Sequence, residues 1–238
     1  MKRFLKSIGD RVVPPIVRYV SNHVPVRPSA STILSELERR ISIECADYVQ
    51  SHMERSVSFP TKAALRDHAL TKIAIDGIIV EFGVFRGASI NQIASKLQND
   101  IVYGFDSFEG LQEDWAGHDC VKGTFDLGGQ LPAVLPNVRL VKGWYDKTIP
   151  EFLAQHSEPF AFVHCDCDTY EASKVVFGSI GNRIRKGTII VFDEYFGFRG
   201  WKIGTYKAWQ ELVSTLKIQY EYLGFTQEQV SIRVTGHD

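Results

Sequence analysis

Short apolar runs alternate with amphipathic segments from residue 77 to the end of the chain. Runs rich in β-branched residues predict buried parallel strands, and apolar residues that recur every three or four positions predict helices. The predicted strands are 77–82, 101–106, 138–142, 159–166 and 187–193. The predicted helices are 88–98, 147–156, 171–185 and 202–216. This alternation predicts an α/β fold with a doubly wound parallel sheet that carries helices on both faces.

Two closing strands are predicted after the last helix, at 217–223 and 229–234. Their connection is too short for a crossover, so we expect this pair to be antiparallel. The segment 107–137 is long and rich in glycine, as functional lids often are.

Residues 1–72 follow a different pattern, with helical periodicity at 31–52 and 61–75 and no convincing strand. We therefore expect an N-terminal helical cap over 1–72, acting in oligomerisation or as a lid, and a second domain over 73–238. The apolar faces of the cap helices suggest self-association.

A glycine turn follows the first predicted strand. Gly83 and Gly87 lie in this turn, and the next strand ends at Asp106. Glycines let the backbone approach a ligand closely, and a carboxylate about 20 residues further on can accept hydrogen bonds from both hydroxyls of a ribose. Phe85 stands where a dinucleotide-binding turn has its middle glycine, which argues against an NAD-dependent dehydrogenase. A purely structural tight turn remains the alternative.

Pairs of acids follow the fourth and fifth predicted strands. Asp166 and Asp168 come after the fourth, and Asp193 and Glu194 come after the fifth. The carboxyl ends of neighbouring parallel strands lie at one edge of the sheet, so these acids should meet there with Asp106. Like charges in close contact need a cation, a proton or a hydrogen-bond donor, and an all-oxygen set suits Mg²⁺ or Ca²⁺ better than Zn²⁺.

Structural roles stay open for the same acids. Asp168 could cap the helix that follows it, and Asp193 with Glu194 could pair with basic residues at the surface. The candidate partners are Arg183, Arg185, Lys186 and Arg199. His164 lies inside a predicted strand, which favours a buried structural histidine over a catalytic base.

Composition excludes several classes of partner. The formal net charge of −1 offers no field that would attract nucleic acid or an anionic membrane. No apolar run reaches the about 20 residues that a transmembrane helix needs. The four cysteines do not make a disulfide framework, and Cys165-Asp-Cys167 lacks the spacing of a zinc or redox site. We expect reduced thiols in a cytoplasmic protein.

Five stretches together resemble the sugar O-methyltransferases of the macrocin, mycinamicin and novobiocin type, within the class I S-adenosylmethionine-dependent methyltransferases. These stretches are 80–89, 102–111, 142–145, 164–170 and 191–195, in this order. The resemblance covers residues 77 to about 210. It implies a seven-stranded, mostly parallel Rossmann-like sheet, S-adenosylmethionine as methyl donor, Mg²⁺, a small sugar-containing acceptor and a homo-oligomer.

The resemblance also assigns residues to the site. The cofactor contacts that it implies are Glu81, Gly83, Val84, Phe85, Gly87, Ser89, Asp106, Ser107, Trp144, Tyr145 and Asp166. The magnesium ligands that it implies are Asp166, Asp193 and Glu194, of which Glu194 departs from the aspartate common in the family.

A sugar hydroxyl is a weak nucleophile until it loses its proton, so the reaction needs a base, a metal or both. We expect Asp166 or Asp168 to be that base. The acceptor is expected to lie against an apolar wall of Tyr195, Phe196 and Trp201. Arg199 and Lys202 could meet a nucleotide-sugar diphosphate or only solvent. Two alternatives stay open, a catechol-like or other diol acceptor and a non-catalytic protein that binds an adenosyl cofactor.

Overall fold

The computed structural model describes residues 30–237. These residues belong to two units that divide between Arg40 and Ile41, inside the helix α1 (Ala30–His52). In the first unit Glu36 forms ion pairs with Arg39 and Arg40. The part of the predicted cap at 1–29 lies outside the described residues, and the boundary at residue 72 stays a prediction.

The second unit contains eight strands. They are β1 (Val57–Ser58), β2 (Ile78–Phe82), β3 (Val102–Asp106), β4 (Val138–Lys142), β5 (Phe160–Cys165), β6 (Ile189–Phe192), β7 (Ile218–Phe225) and β8 (Val230–His237). The helices after α1 are α2 (Lys62–Leu70), α3 (Ala88–Lys96), α4 (Tyr145–Gln155), α5 (Tyr170–Ile180) and α6 (Thr205–Leu216), with 3₁₀ turns at Gly181–Arg183 and Trp201–Ile203. No helix within 30–237 combines the length and the apolar character needed to cross a membrane.

All strands form one sheet in the order β1-β7-β8-β6-β5-β2-β3-β4. Strands β2 to β6 are parallel, and β8 is antiparallel to both β6 and β7. The predicted α/β class and the antiparallel closing pair are therefore confirmed. The eighth strand, β1, lies in a segment where no strand was predicted, because two residues are too few to show an alternating pattern. It pairs in parallel with the outer edge of β7.

The order of strands locates a ligand crevice. Chain order reverses direction where β2 lies between β3 and β5, and open α/β sheets bind ligands beyond the carboxyl ends of the strands at such a point. Every residue of β2, β5 and β6 is buried, which explains their continuous apolar runs. Glu81 and His164 are the polar exceptions, and they lie opposite each other in the register of β2 and β5.

Candidate active site

A cavity of about 560 Å³ opens at the carboxyl edge of the sheet. Its walls come from the segments that follow β2, β3, β4, β5 and β6. The glycine turn contributes Gly83 and Phe85, and all four acids after β5 and β6 reach the same space. The structure therefore brings the glycine turn and the acids together, as parallel topology predicted.

Gly83 fixes the contact between these two parts of the site. Its φ of +90° lies in the region that favours glycine, and an added Cβ would be 1.7 Å from the backbone oxygen of Asp166. The Asp166 amide in turn donates to the carbonyl of Phe82 at 2.8 Å. Any side chain at position 83 would separate the turn from the first acid.

Asp106 anchors the glycine turn. Its Oδ2 accepts hydrogen bonds from the amides of Val84 and Phe85, each at 2.8 Å, and its Oδ1 accepts from the amide of Phe108 at 2.7 Å. Phe85 and Phe108 have φ of +47° and +59°, which bulky residues rarely adopt without such restraint. A carboxylate has about four acceptor sites, so these three bonds leave roughly one for a ligand rather than the two that a pair of ribose hydroxyls would use.

The expected cofactor residues divide into two groups by position. Those that line the cavity are Gly83, Phe85, Asp106, Ser107, Trp144, Tyr145 and Asp166. The others, which do not line the cavity, are Glu81, Val84, Gly87 and Ser89. Glu81 is fully buried, and its two oxygens are bonded to Ser89 Oγ at 2.9 Å and His164 Nδ1 at 3.0 Å.

The long segment 107–137 forms part of the cavity wall. It supplies Leu111, Gln112, Glu113, Trp115 and Phe125, none of which a local pattern singled out. The segment also packs on the loop after β6, since a Cβ on Gly117 would lie 1.4 Å from the carbonyl oxygen of Arg199. The space available to an acceptor therefore depends on this segment.

His164 is held in a buried charge network, consistent with a structural role. It is fully buried, and its Nε2 lies 3.3 Å from Oδ1 of Asp193. Burial alone would lower the pKa of His164, but Asp193 and Glu81 together raise that pKa to about 10. A histidine that keeps its proton at neutral pH cannot accept one from a substrate.

The four acids that follow β5 and β6 ionise differently from one another. Burial, with the charges of Asp193 and Asp168, raises the pKa of Asp166 well above its usual range. Burial, with the charges of Asp193 and Asp166, does the same to the pKa of Glu194. Burial would also raise the pKa of Asp193, but its contacts with His164 and Glu194 hold it well below its usual range. An ionised Asp193 therefore lies beside carboxyl groups that retain protons.

Among the four acids that follow β5 and β6, Asp168 is the one that titrates near neutrality. Burial, followed by the charges of Asp193 and Asp106, raises the pKa of Asp168 to about 7. Its backbone has a φ of +60°, an uncommon conformation for a residue that is not glycine. It does not cap α5, because Thr169 is the N-cap and its hydroxyl accepts from the amide of Ala172 at 3.3 Å.

Asp193 and Glu194 form ion pairs, but with different partners from those considered in the sequence. Lys62 Nζ lies 2.5 Å from Asp193 Oδ2 and 3.3 Å from Glu194 Oε1. Arg66 Nη1 lies 3.5 Å from Asp193 Oδ1, which also accepts a hydrogen bond from Gln229 Nε2. No local pattern identifies these three residues as part of the site, because all of them are far from Asp193 in sequence. Lys62 and Arg66 lie in α2, and Gln229 directly precedes β8.

The expected magnesium ligands do not fit the ion as a set. The groups whose donor atoms lie within 4.8 Å of one another are His164, Asp166 and Asp193, and Asp166, Asp168 and Glu194. Asp193 and Glu194 thus fall in different groups, and both oxygens of Asp193 already have protein partners. Glu194 Oε2 is buried with no hydrogen-bond partner among the described residues, but Oε1 of the same side chain contacts Lys62. Asp193, one of the three expected ligands, therefore presents no open oxygen to Mg²⁺, and the three residues do not form one ligand set.

The expected acceptor wall lies in the core instead. Tyr195, Phe196 and Trp201 are at most 2% exposed, and none of them lines the cavity. The amides of Tyr195 and Phe196 both donate to the carbonyl of Glu228, which turns their side chains away from the cavity and into an aromatic cluster. Their positions do not support the predicted contact with an acceptor.

We expect Tyr195→Phe to affect stability more than catalysis. The Tyr195 hydroxyl lies 2.7 Å from that of Tyr222 and 3.4 Å from that of Tyr48, and it accepts from Gln210 Nε2 at 3.3 Å. Losing this buried hydroxyl should lower the free energy of unfolding by about 1–2 kcal/mol, as measured by urea denaturation. A raised KM for the acceptor with unchanged stability would instead restore Tyr195 to the acceptor site.

Comparison with known proteins agrees with this architecture. Residues 80–195 match the profile of a family described as a methyltransferase domain. No curated protein sequence matches the chain significantly.

Three solved structures resemble the chain in fold. CalS11, the calicheamicin methyltransferase, has a TM-score of 0.55 at 20% identity, over 84% of this chain and 91% of that one. The apo structure of CalS11, a TDP-rhamnose 3′-O-methyltransferase, has a TM-score of 0.52 at 20% identity, over 84% and 93%. The O-methyltransferase NovP has a TM-score of 0.51 at 19% identity, over 73% and 77%.

The matched segment 80–195 contains the glycine turn, Asp106 and the four acids that follow β5 and β6. The family match therefore covers the residues that line the cavity, together with strands β3 to β6 and most of β2. Residues 80–195 therefore resemble a methyltransferase domain in sequence, and the described part of the chain resembles solved O-methyltransferases in fold.

Proposed function

We propose that the chain is an O-methyltransferase that methylates a sugar hydroxyl, on a glycosylated small molecule or on a nucleotide-linked sugar. One observation carries the proposal. The Asp168 carboxylate, with a pKa of about 7, shares a cavity with the glycine turn that follows β2. A base that ionises near neutral pH beside a methyl donor is what a hydroxyl nucleophile requires.

The residues that would hold the cofactor are those of the predicted set that reach the cavity. Gly83 and Phe85 offer a turn whose shape is fixed by Asp106, and Trp144 with Tyr145 offers aromatic surface in the same cavity. Bound S-adenosylmethionine supplies a methyl group that a sulfonium makes electrophilic. The glycine conformation at Gly83 lets the turn lie close to Asp166 and therefore to the acids.

Asp168 would take the proton of the acceptor hydroxyl. Asp166 and Glu194 are poor candidates because their pKa values are raised well above the usual range, so they already hold protons. Asp193 is a poor candidate for the opposite reason, since its lowered pKa makes it a weak base. This division of one cluster into protonated and ionised members leaves Asp168 as the base of the proposed reaction.

A sugar fits the part of the cavity left for an acceptor, because that part is lined by both apolar and acidic side chains. Trp115 and Phe125 offer apolar faces, and Glu113 and Glu171 offer carboxylates that can accept hydrogen bonds from hydroxyls. CalS11, which has the same fold, is a TDP-rhamnose 3′-O-methyltransferase. Magnesium assistance is not part of the proposal, because Asp193 has no free oxygen. A homo-oligomer and a cytoplasmic location stay predictions.

Calorimetry followed by a turnover assay tests the proposal. We expect S-adenosylmethionine and its demethylated product to bind at one site per chain, and NADH not to bind. Turnover would then be followed as release of demethylated cofactor with a nucleotide-linked sugar, a neutral glycoside, an amino-sugar glycoside and a catechol. Binding without turnover on the sugars, but with turnover on the catechol, would replace the sugar acceptor by an aromatic diol. Absence of cofactor binding would overturn the proposed function as a whole.

A further inference from the structure

Lys62 contacts three carboxylates at the edge of the active-site cavity. Its Nζ lies 2.5 Å from Asp193 Oδ2, 3.3 Å from Glu194 Oε1 and 3.3 Å from Glu228 Oε2. The Asp193 and Glu194 side chains are only 9% and 8% exposed, whereas that of Lys62 is 38% exposed. The more exposed Lys62 side chain thus brings its positive charge to two buried acids.

The position of Lys62 is set by the helix that carries it. Lys62 is the first residue of α2, and the Thr61 hydroxyl caps this helix by accepting from the amide of Ala64 at 3.1 Å. One turn later Arg66 reaches Asp193 and donates to Gln92 Oε1 at 3.0 Å. The helix also lies against α3, β6 and β8. These contacts hold the ammonium at the acids without relying on the flexible lysine side chain alone.

We propose that Lys62 is the resident cation of this site and that it excludes a divalent metal ion from Asp193 and Glu194. A metal bound to Asp193 Oδ2 would have to displace the Lys62 ammonium, because the ammonium already contacts that oxygen. The other oxygen, Oδ1, offers no alternative, because it contacts Arg66 and Gln229. The neighbouring oxygen group of Asp166, Asp168 and Glu194 is affected as well. Its Glu194 member contacts the same ammonium, and two cations in close contact repel each other.

This arrangement makes the site independent of divalent metal ions. Lys62 is a positioning residue, because its ion pair holds the Asp193 carboxylate in place while Asp168 faces the cavity. Its removal should convert the acids into a metal site, because buried carboxylates that lose their cation gain from another one. Lys62 would exclude the metal ion whichever acceptor is methylated.

Binding of Mn²⁺ tests the proposal, with free Mn²⁺ measured by electron paramagnetic resonance. The proteins to compare are the wild type, Lys62→Gln, Lys62→Met and the control Lys96→Met. Lys96 is a suitable control because it also pairs with a carboxylate, Asp67, at 3.0 Å, but its side chain is 53% exposed and lies outside the cavity. We expect no saturable Mn²⁺ binding to the wild type or the control. Both Lys62 variants should bind one Mn²⁺ per chain, at least about tenfold more tightly than the detection limit that the wild type sets.

The outcomes separate this proposal from the proposed function. Tight Mn²⁺ binding to the wild type, equal to that of Lys62→Gln, would overturn the role of Lys62. So would a folded Lys62→Gln variant, verified by its binding of demethylated cofactor, that gains no Mn²⁺ site. If Lys62→Met does not fold, Lys62→Gln and the wild type still decide the result. A protein that shows no methyl transfer but gives the expected Mn²⁺ pattern would contradict the function alone.

Discussion

Replacing Asp168 by asparagine is expected to lower kcat by about 10²–10⁴-fold, the usual contribution of a general base. Asparagine keeps the size of the side chain and its place in the cavity wall but cannot take a proton. Affinity for demethylated cofactor should stay close to that of the wild type, because Asp168 does not anchor the glycine turn. The measurement is single-turnover release of demethylated cofactor, combined with calorimetry on the same preparations.

The pH profile distinguishes a base from a structural carboxylate. The pKa of Asp168 is raised to about 7, so below that pH the residue is protonated and inactive as a base. Wild-type kcat should therefore rise with pH through about 7 and then level off, and the Asp168→Asn variant should lack this rise. Asp119→Asn makes the same chemical change at a fully exposed position and should keep the wild-type profile. An unchanged profile in Asp168→Asn would assign the proton transfer to a group other than Asp168.

The sheet and the acids at its carboxyl edge were predictable because both depend on local patterns. Continuous apolar runs identified β2, β5 and β6, since strands buried on both faces show no alternation. Once the strands are parallel, residues just past their ends must share one edge, so Asp106 and the acids after β5 and β6 were expected to converge. The lining of the cavity confirms that convergence.

The parts that were not predictable depend on contacts between distant segments. Lys62 reaches Asp193 across 131 positions of sequence, and no spacing rule connects a cap helix to the end of β6. The aromatic wall was misplaced for a related reason. Tyr195 is next to an acid in sequence, but its amide bonds to Glu228, and that distant pairing directs the side chain into the core.

Replacing Asp106 by alanine is expected to weaken binding of the demethylated cofactor by about 100-fold or more. The change removes the acceptor for three backbone amides, those of Val84, Phe85 and Phe108. Hydrogen bonds to a charged group contribute roughly 1.5–3 kcal/mol each, and about 1.4 kcal/mol corresponds to a tenfold change in affinity. Loss of two of these bonds would therefore be enough for a roughly 100-fold weaker affinity. Without them, Phe85 would no longer be held at its positive φ, and the glycine turn would lose its shape.

Two further variants test whether the loss of affinity comes from the role of Asp106 in anchoring the glycine turn. Asp126→Ala also removes a carboxylate that accepts a backbone amide, that of Gly128 at 2.6 Å, but it does so in the 107–137 segment and off the cavity wall. It should bind the cofactor product as the wild type does. Asp106→Asn retains one acceptor oxygen and should give an intermediate dissociation constant, with faster hydrogen exchange at the amides of Val84 and Phe85. Wild-type affinity in Asp106→Ala would mean that the glycine turn keeps its shape without the carboxylate, and Gly83 packed on Asp166 would then be the feature that holds it.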